Sequence, residues 1–259
     1  MTVLSWNLFH GRDLPPGGAP RPLPARLVRP QLLDGFADRL AGWHWDLALL
    51  QEAPPRWQRA LALRARASSA IALTARNEPA CLRRRLADWA PDLLAANEGG
   101  SNQLLVRAPG RLLAVRRLRL AWRPERRRML WARVELPGGA RLAVGNLHAS
   151  AGLPERAAGE LERAAARALE WAGRDPLVLG GDLNLRPARQ PDAFTLLRER
   201  FGLGQPTAPG AIDHLLAHGL ELVEPPRALP ASERELTSAR GERLLLSDHA
   251  PVVASFGMR

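Results

Sequence analysis

Six apolar runs in this sequence carry acids, amides or imidazoles at or beside a margin, and that pattern limits the fold more than any other feature. The endings are Ser5-Trp6-Asn7, Leu50-Gln51-Glu52, Asn146-Leu147-His148, Gly181-Asp182-Leu183-Asn184, Ile212-Asp213-His214 and Leu246-Ser247-Asp248-His249. Short apolar runs read as buried strands, and an acid at the end of a buried strand is costly without a partner. A fold that gathers the endings on one rim supplies those partners. The remaining pattern interleaves helices with strands. Helical spacing predicts helices over 27–40, 57–66, 81–94, 154–172 and 193–201. Strands are expected over 3–8, 46–50, 70–74, 103–106, 111–122, 129–136, 141–147, 176–179, 212–216, 220–223 and 250–256, with a Gly/Pro/Arg-rich loop at 11–26 and a polar loop running to Arg243. Most of the strands are joined as hairpins. This argues for an α/β fold with two stacked, mostly antiparallel sheets covered by helices, formed by residues 1–259 as one domain.

Composition narrows the chemistry. A single cysteine, Cys81, excludes an intramolecular disulfide and a cysteine-based zinc site. No run approaches the roughly 18 apolar residues of a membrane span, and Met1 leads into Thr2-Val3-Leu4 without a basic leader, so a cytoplasmic chain is expected. Carboxylates, amides and imidazoles are hard ligands that suit Mg²⁺ or Mn²⁺, an inventory that fits phosphoryl chemistry. The 37 basic residues are all arginine, and 37 minus 26 acids gives a net charge of +11. That charge draws polyanions, although the bias to arginine and the absence of tyrosine also fit a GC-rich genome. Clusters stand at Arg83-Arg84-Arg85, at Arg116, Arg117 and Arg119, and at Arg126-Arg127-Arg128. Each reads either as a solvated face or as part of a phosphate-tracking groove.

The strand endings, taken in order, resemble the endonuclease/exonuclease/phosphatase superfamily, which includes deoxyribonuclease-I-like nucleases, neutral sphingomyelinases and inositol phosphate phosphatases. Ser5-Trp6-Asn7 resembles its opening strand motif, Leu50-Gln51-Glu52 its QE motif, Gly181-Asp182-Leu183-Asn184 its GDxN motif, and Ser247-Asp248-His249-Ala250-Pro251 its SDHxP motif. Asn146-Leu147-His148 and Ile212-Asp213 match less specific signatures. The resemblance implies a four-layer α/β/β/α sandwich with its site on one edge. It implies metal ligation by Glu52, with Asn7 as a metal-side or Asp182-orienting amide, Asp248 in the metal's outer or inner ligand set, and Asp182 as the base that orients water. It places Asn184, His249 and His148 against the phosphate, with Asp213 charging His249. Asn102 and Arg128 are the substrate-binding candidates, each with a bland alternative as a turn residue or an edge-strand cation. The remaining histidines, His10, His44, His214 and His218, are expected to be structural. Phe9, two residues after Asn7, and the lack of any tyrosine depart from the abasic-site repair members.

The function expected is Mg²⁺- or Mn²⁺-dependent hydrolysis of phosphodiesters by a monomeric, nuclease-like enzyme whose substrate is nucleic acid or another phosphoester. Two alternatives stand beside it. One is a phosphatase or phosphodiesterase acting on a small phosphorylated metabolite or lipid head group; the other is a catalytically silent nucleic-acid-binding domain.

Overall fold

Alternation along extended backbone sorts side chains to two faces, and here it builds three apolar layers. The computed structural model describes residues 1–14, 30–74, 100–123, 125–237, 241 and 243–258. The expected helix at 81–94, Cys81, the arginines at 83–85 and most of the 11–26 loop lie outside the described residues. Strand β1 (Thr2–Asn7) turns Val3 to one face and Leu4 and Trp6 to the other. It runs parallel to β3 (Leu47–Ala53) at the centre of a six-stranded sheet. That sheet is completed by β4 (Ala67–Leu73), β5 (Ser101–Arg107), β11 (Leu220–Ala228) and β14 (Val252–Met258), in the order β11-β14-β1-β3-β5-β4. A second sheet has the order β10-β9-β8-β7-β6, from β6 (Arg111–Ala121), β7 (Arg127–Glu135), β8 (Arg141–His148), β9 (Leu177–Asp182) and β10 (Asp213–His218). Among the described residues only β1–β3 and β8–β9 pair in parallel.

The two sheets face each other across Val3, Leu47, Leu49, Leu104, Leu130, Val144 and Val178. Helices α1 (Pro30–Gly42) and α2 (Gln58–Arg64) cover the first sheet, with Phe36, Leu40 and Leu61 packed on Leu4, Trp6, Leu50 and Trp57. Helices α3 (Pro154–Ala172) and α4 (Pro191–Phe201) cover the second. The stripe Ala157, Leu161, Ala164 and Ala168 on α3 lies at helical spacing against Trp131, Leu147 and Leu179. This is the expected four-layer α/β/β/α sandwich.

One reading was incomplete. The polar loop before Arg243 holds β12 (Glu235–Thr237) and leads into β13 (Arg243–Leu246), which pair with each other and with β2 (Asp13–Leu14) in a small third sheet. Leu244 and Leu246 alternate into the α1 core, and a run this short between polar neighbours carries little periodic signal.

The inward-facing positions change from apolar to polar toward one end of the sandwich. They read Val3-Ser5-Asn7, Leu47-Leu49-Gln51, Val144-Asn146-His148 and Val178-Gly180-Asp182. Register aligns the last members, with Asn7 beside Gln51, His148 beside Asp182, and Asp182 beside Asp213. Glycines let these ends close up. Gly181 has φ +131°, and a Cβ there would stand 2.0 Å from the Leu147 carbonyl oxygen. Gly181→Ala should therefore lower unfolding free energy by about 3 kcal/mol or more, because overpacking and backbone strain each cost of order 1–3 kcal/mol. Gly138→Ala is the control, since its Cβ meets nothing within 4 Å and only backbone strain, about 1 kcal/mol, is expected. Denaturant melts giving equal losses for the two variants would contradict this account of the strand end.

Candidate active site

Asp182 is the best-held acid of the rim. It closes β9 almost fully buried, at 2% exposure. Asn7 Nδ2 donates to its Oδ2 at 3.0 Å, and the backbone N–H of Asn184 donates to its Oδ1 at 3.1 Å. Asn184 reaches that position through a left-handed backbone, φ 51°, and its Nδ2 donates to the Ala149 carbonyl at 3.1 Å. The following loop is fixed from below: the buried Glu160 of α3 accepts the Ser150 N–H at 2.8 Å and the Ser150 hydroxyl at 2.7 Å. Burial, together with the charges of Asp213 and Glu52, pushes the Asp182 carboxyl up to about 7, against the opposing pull of His249 and Asn7.

His249 stands on the other side of that carboxylate, with Nε2 3.8 Å from Asp182 Oδ2 and Nδ1 2.7 Å from Asp213 Oδ2. Burial presses its pKa down, but the Asp213 hydrogen bond and charge, aided by Asp182 and Asp248, outweigh burial and raise it to about 9. His249 is therefore an imidazolium at neutral pH. Its backbone is stitched to β1: Trp6 Nε1 donates to its carbonyl, and Ser247 Oγ accepts its N–H while donating to the Asn7 carbonyl at 2.6 Å. Ser247 also takes a positive φ, 64°. Asp248 lies on the exposed rim with Oδ1 3.9 Å from His249 Nε2.

His148 is the opposite case. Burial, with the positive charge of Arg127 and the neighbouring His249 and His10, holds it well below its ordinary value and therefore neutral. Its approaches to Asp182 Oδ2, 3.4 Å, and Glu52 Oε1, 3.8 Å, are thus contacts of a neutral ring and not ion pairs. It separates the two acids.

Glu52 is aimed by a bulge. Leu50 pairs with Gln103 and Ala53 with Ser101, so β3 carries one extra residue against β5. Glu52 adopts φ 47° within that bulge, and Gly100 leaves it room, since a Cβ there would lie 3.3 Å from Glu52 Cα. Its partly exposed carboxylate accepts from His10 Nε2 at 3.0 Å. Burial holds His10 below its ordinary pKa despite the Glu52 charge.

His10 was expected to be structural and instead reaches the site. Its only signal was its place in the short loop that follows the Asn7 strand end. His214 does fit the structural reading: its fully buried ring accepts the Thr207 N–H at Nδ1 and lies 3.0 Å from the Leu185 carbonyl at Nε2. Asn102 lies within β5, not in a turn, fully buried, and its Nδ2 donates to the Arg128 carbonyl at 2.7 Å. The two substrate-binding candidates therefore meet, through the Arg128 backbone. Arg126 and Arg127 are 5% and 7% exposed, so they are not a solvated face.

Two acidic groupings can be weighed as cation sites. Asp182, Asp213 and His249 offer atoms within 4.8 Å of one another. However, His249 already supplies the positive charge there, and an imidazolium has no lone pair to give. Glu52 offers a hard carboxylate beside a neutral imidazole, with the Asn7 amide and Asp182 across the gap, a donor set that suits Mg²⁺ or Mn²⁺.

The Endonuclease/Exonuclease/phosphatase family model matches residues 4–249, and the chain belongs to this family of nucleases and phosphatases. No curated protein matches the sequence. Among solved structures, the mannosyl-6-phosphatase of Bacteroides thetaiotaomicron is similar with TM-score 0.67 at 15% identity, covering 99% of both chains. TDP2 of D. rerio, solved with a single-strand DNA product, gives 0.65 at 14%, covering 100% of this chain and 99% of its own. The human Nocturnin catalytic domain, solved with sulfate, gives 0.66 at 15%, covering 100% and 93%. At these identities the likeness is one of fold, that of the deoxyribonuclease-I-like members.

The Asp213–His249 pair fixes a pH signature. A folded pKa of about 9 against an ordinary 6.5 stabilises the fold fully below pH 6.5, and the stabilisation is lost as pH rises through 9. Asp213→Asn should bring the His249 titration down toward 6.5 or below and remove this pH dependence. NMR titration of the imidazole and melts on either side of pH 9 measure both effects. An unmoved titration would remove Asp213 as the cause.

Proposed function

We propose that the chain is a Mg²⁺- or Mn²⁺-dependent phosphoesterase that cleaves phosphodiesters in a nuclease-like manner. The observation that carries this reading is the juxtaposition of Asp182, a buried acid poised near neutrality, with His249, an imidazolium 3.8 Å away. A base and a fixed cation side by side suit attack of water on a phosphorus centre. Asp182 takes a proton from the water as the water oxygen bonds to phosphorus, the P–O bond to the leaving ester oxygen breaks, and that oxygen takes up a proton from solvent; Asn7 and the Asn184 N–H keep the Asp182 oxygens aimed. His249 donates to a non-bridging oxygen, where charge builds, and Asp213 keeps it protonated. The Asn184 and His148 side chains line the same opening. Glu52 is the principal metal ligand in this reading, with Asn7 beside it and Asp248 in the outer shell. When bound, the divalent ion supplies further positive charge to the phosphate oxygens.

The preference for a diester over a small monoester rests on the buried Arg126, on Arg127, whose charge acts on His148 although Glu125 pairs with it at 2.7 Å, and on Arg128 beside Asn102. In this reading residues 1–259 act as one monomeric, cytoplasmic domain; among the described residues no helix is long and apolar enough to cross a membrane.

Purified protein should turn over bis(p-nitrophenyl) phosphate with Mg²⁺ or Mn²⁺, and EDTA should abolish that turnover. Glu52→Gln should raise the metal concentration needed for half activity, because an amide holds a hard dication less well. Asp182→Asn and Asp213→Asn should each lower kcat by about 10²-fold or more. On nucleic acid, log(kcat/KM) should fall with log[salt] by about 0.7 to 0.9 per phosphate contacted. Full activity without metal would overturn the mechanism, and hydrolysis confined to a hexose phosphate would overturn the diester preference.

A further inference from the structure

Beyond the charge of Arg126 and Arg127, the phosphoesterase reading gives the tip of the β6–β7 hairpin no task. β6 is the outer strand of its sheet, and charged side chains on an edge strand commonly serve to block unwanted pairing. Arg116 and Arg117 fit that bland use: Arg116 lies over Trp131 and Trp171, and Arg117 Nε donates to the Ile71 carbonyl. The tip differs. Trp122 keeps 47% of its surface in solvent and is the one aromatic among the large exposed hydrophobic side chains of the described residues. The guanidinium of Arg126 stands 4.9 Å from its ring centroid and that of Arg119 5.7 Å. Helix α3 braces the tip, with Arg156 Nη1 donating to the Arg123 carbonyl at 2.7 Å and Arg163 Nη2 to the Leu120 carbonyl at 2.8 Å. The root of the tip is the rim itself: Ala121 pairs with Arg127, and the next carbonyl, that of Arg128, holds Asn102.

We propose that Trp122, flanked by Arg119 and Arg126, is a stacking platform for an unpaired base next to the scissile phosphate, so that the substrate is single-stranded nucleic acid. The inference rests on the phosphodiesterase reading for the cleavage step, but binding by the platform does not need it. An exposed indole beside guanidinium groups matches the alternation of base and phosphate along a single strand. In a duplex the base faces are already covered by their neighbours, and a sugar phosphate has no π-face to offer.

The test is binding of a fluorescent oligothymidylate, followed by anisotropy in EDTA so that nothing is cut. Trp122→Ala should weaken binding roughly 5- to 100-fold, the loss of about one base stack, whereas Trp122→Phe should retain most of the affinity. Wild type should bind an abasic tetrahydrofuran strand of equal length more weakly by a similar factor, and Trp122→Ala should leave that weaker binding unchanged. Equal affinity of wild type for the two strands, or an equal loss on both in Trp122→Ala, would overturn the platform. Stacking intact in a protein that hydrolyses no phosphoester would instead defeat the phosphodiesterase reading alone, and diester turnover without any Trp122 effect would defeat the platform alone.

Discussion

A hydrogen bond between two buried amides holds the two sheets in the alignment on which the site depends. Gln51 Nε2 donates to Asn146 Oδ1 at 2.8 Å, and Asn146 Nδ2 donates to the carbonyls of Leu50 and Gln103. Neither side chain is exposed. Buried amides are expensive when unpaired and rigid when paired, so the sheets keep the sliding position at which Gln51 Nε2 and both ends of the Asn146 amide find partners. Next to Gln51 on the first sheet stands Asn7, and two residues past Asn146 on the second stands His148. The amide pair therefore sets how β1 and β9 face each other, and with it the Asn7–Asp182 contact.

Around that tie the charges are divided with little compensation from solvent. Two imidazoles stand close to the same Asp182 oxygen, and their environments drive them apart: His249 has a hydrogen-bonded carboxylate that outweighs its burial and stays charged, whereas His148 is buried, faces Arg127 and stays neutral. The backbone bears part of the cost. His10, Glu52, Asn184 and Ser247 all hold positive φ values, a conformation that strains side-chain-bearing residues. Such strain persists only where surrounding structure fixes it, and it gathers at functional sites.

Much of this was legible in the sequence because polarity changes abruptly at strand ends. The runs that end at Asn7 and Asp182 and the run that Asp213 opens are apolar enough to be read as strands, and these polar margins lie in one place. The helix at 154–172 was readable to its ends, since Pro154 opens it and Gly173 follows it. Other parts were not readable. The Glu52 bulge leaves no local mark, because its cause is the pairing with β5. His10 enters the site through tertiary placement of a three-residue turn. The burial of Arg126 and Arg127 opposes their composition, and only the packing of the hairpin base against the rim produces it.

The order of strands in the first sheet gives the chain an unusual timetable. Of the described strands β1 is made first and β14 last, yet they lie side by side, with Thr2 opposite Ser255. The whole second sheet and its helices come between them in the chain. On a ribosome, which releases a chain from its N-terminus onward, β1 waits with one edge open while the rest is built. The imidazole at 249 and the serine that anchors it emerge after the second sheet is complete, and the serine's bond to Asn7 spans 240 residues. Assembly of the rim thus waits until residue 249 has emerged, and a chain cut short before that point carries Glu52 and Asp182 but no imidazolium to work with them.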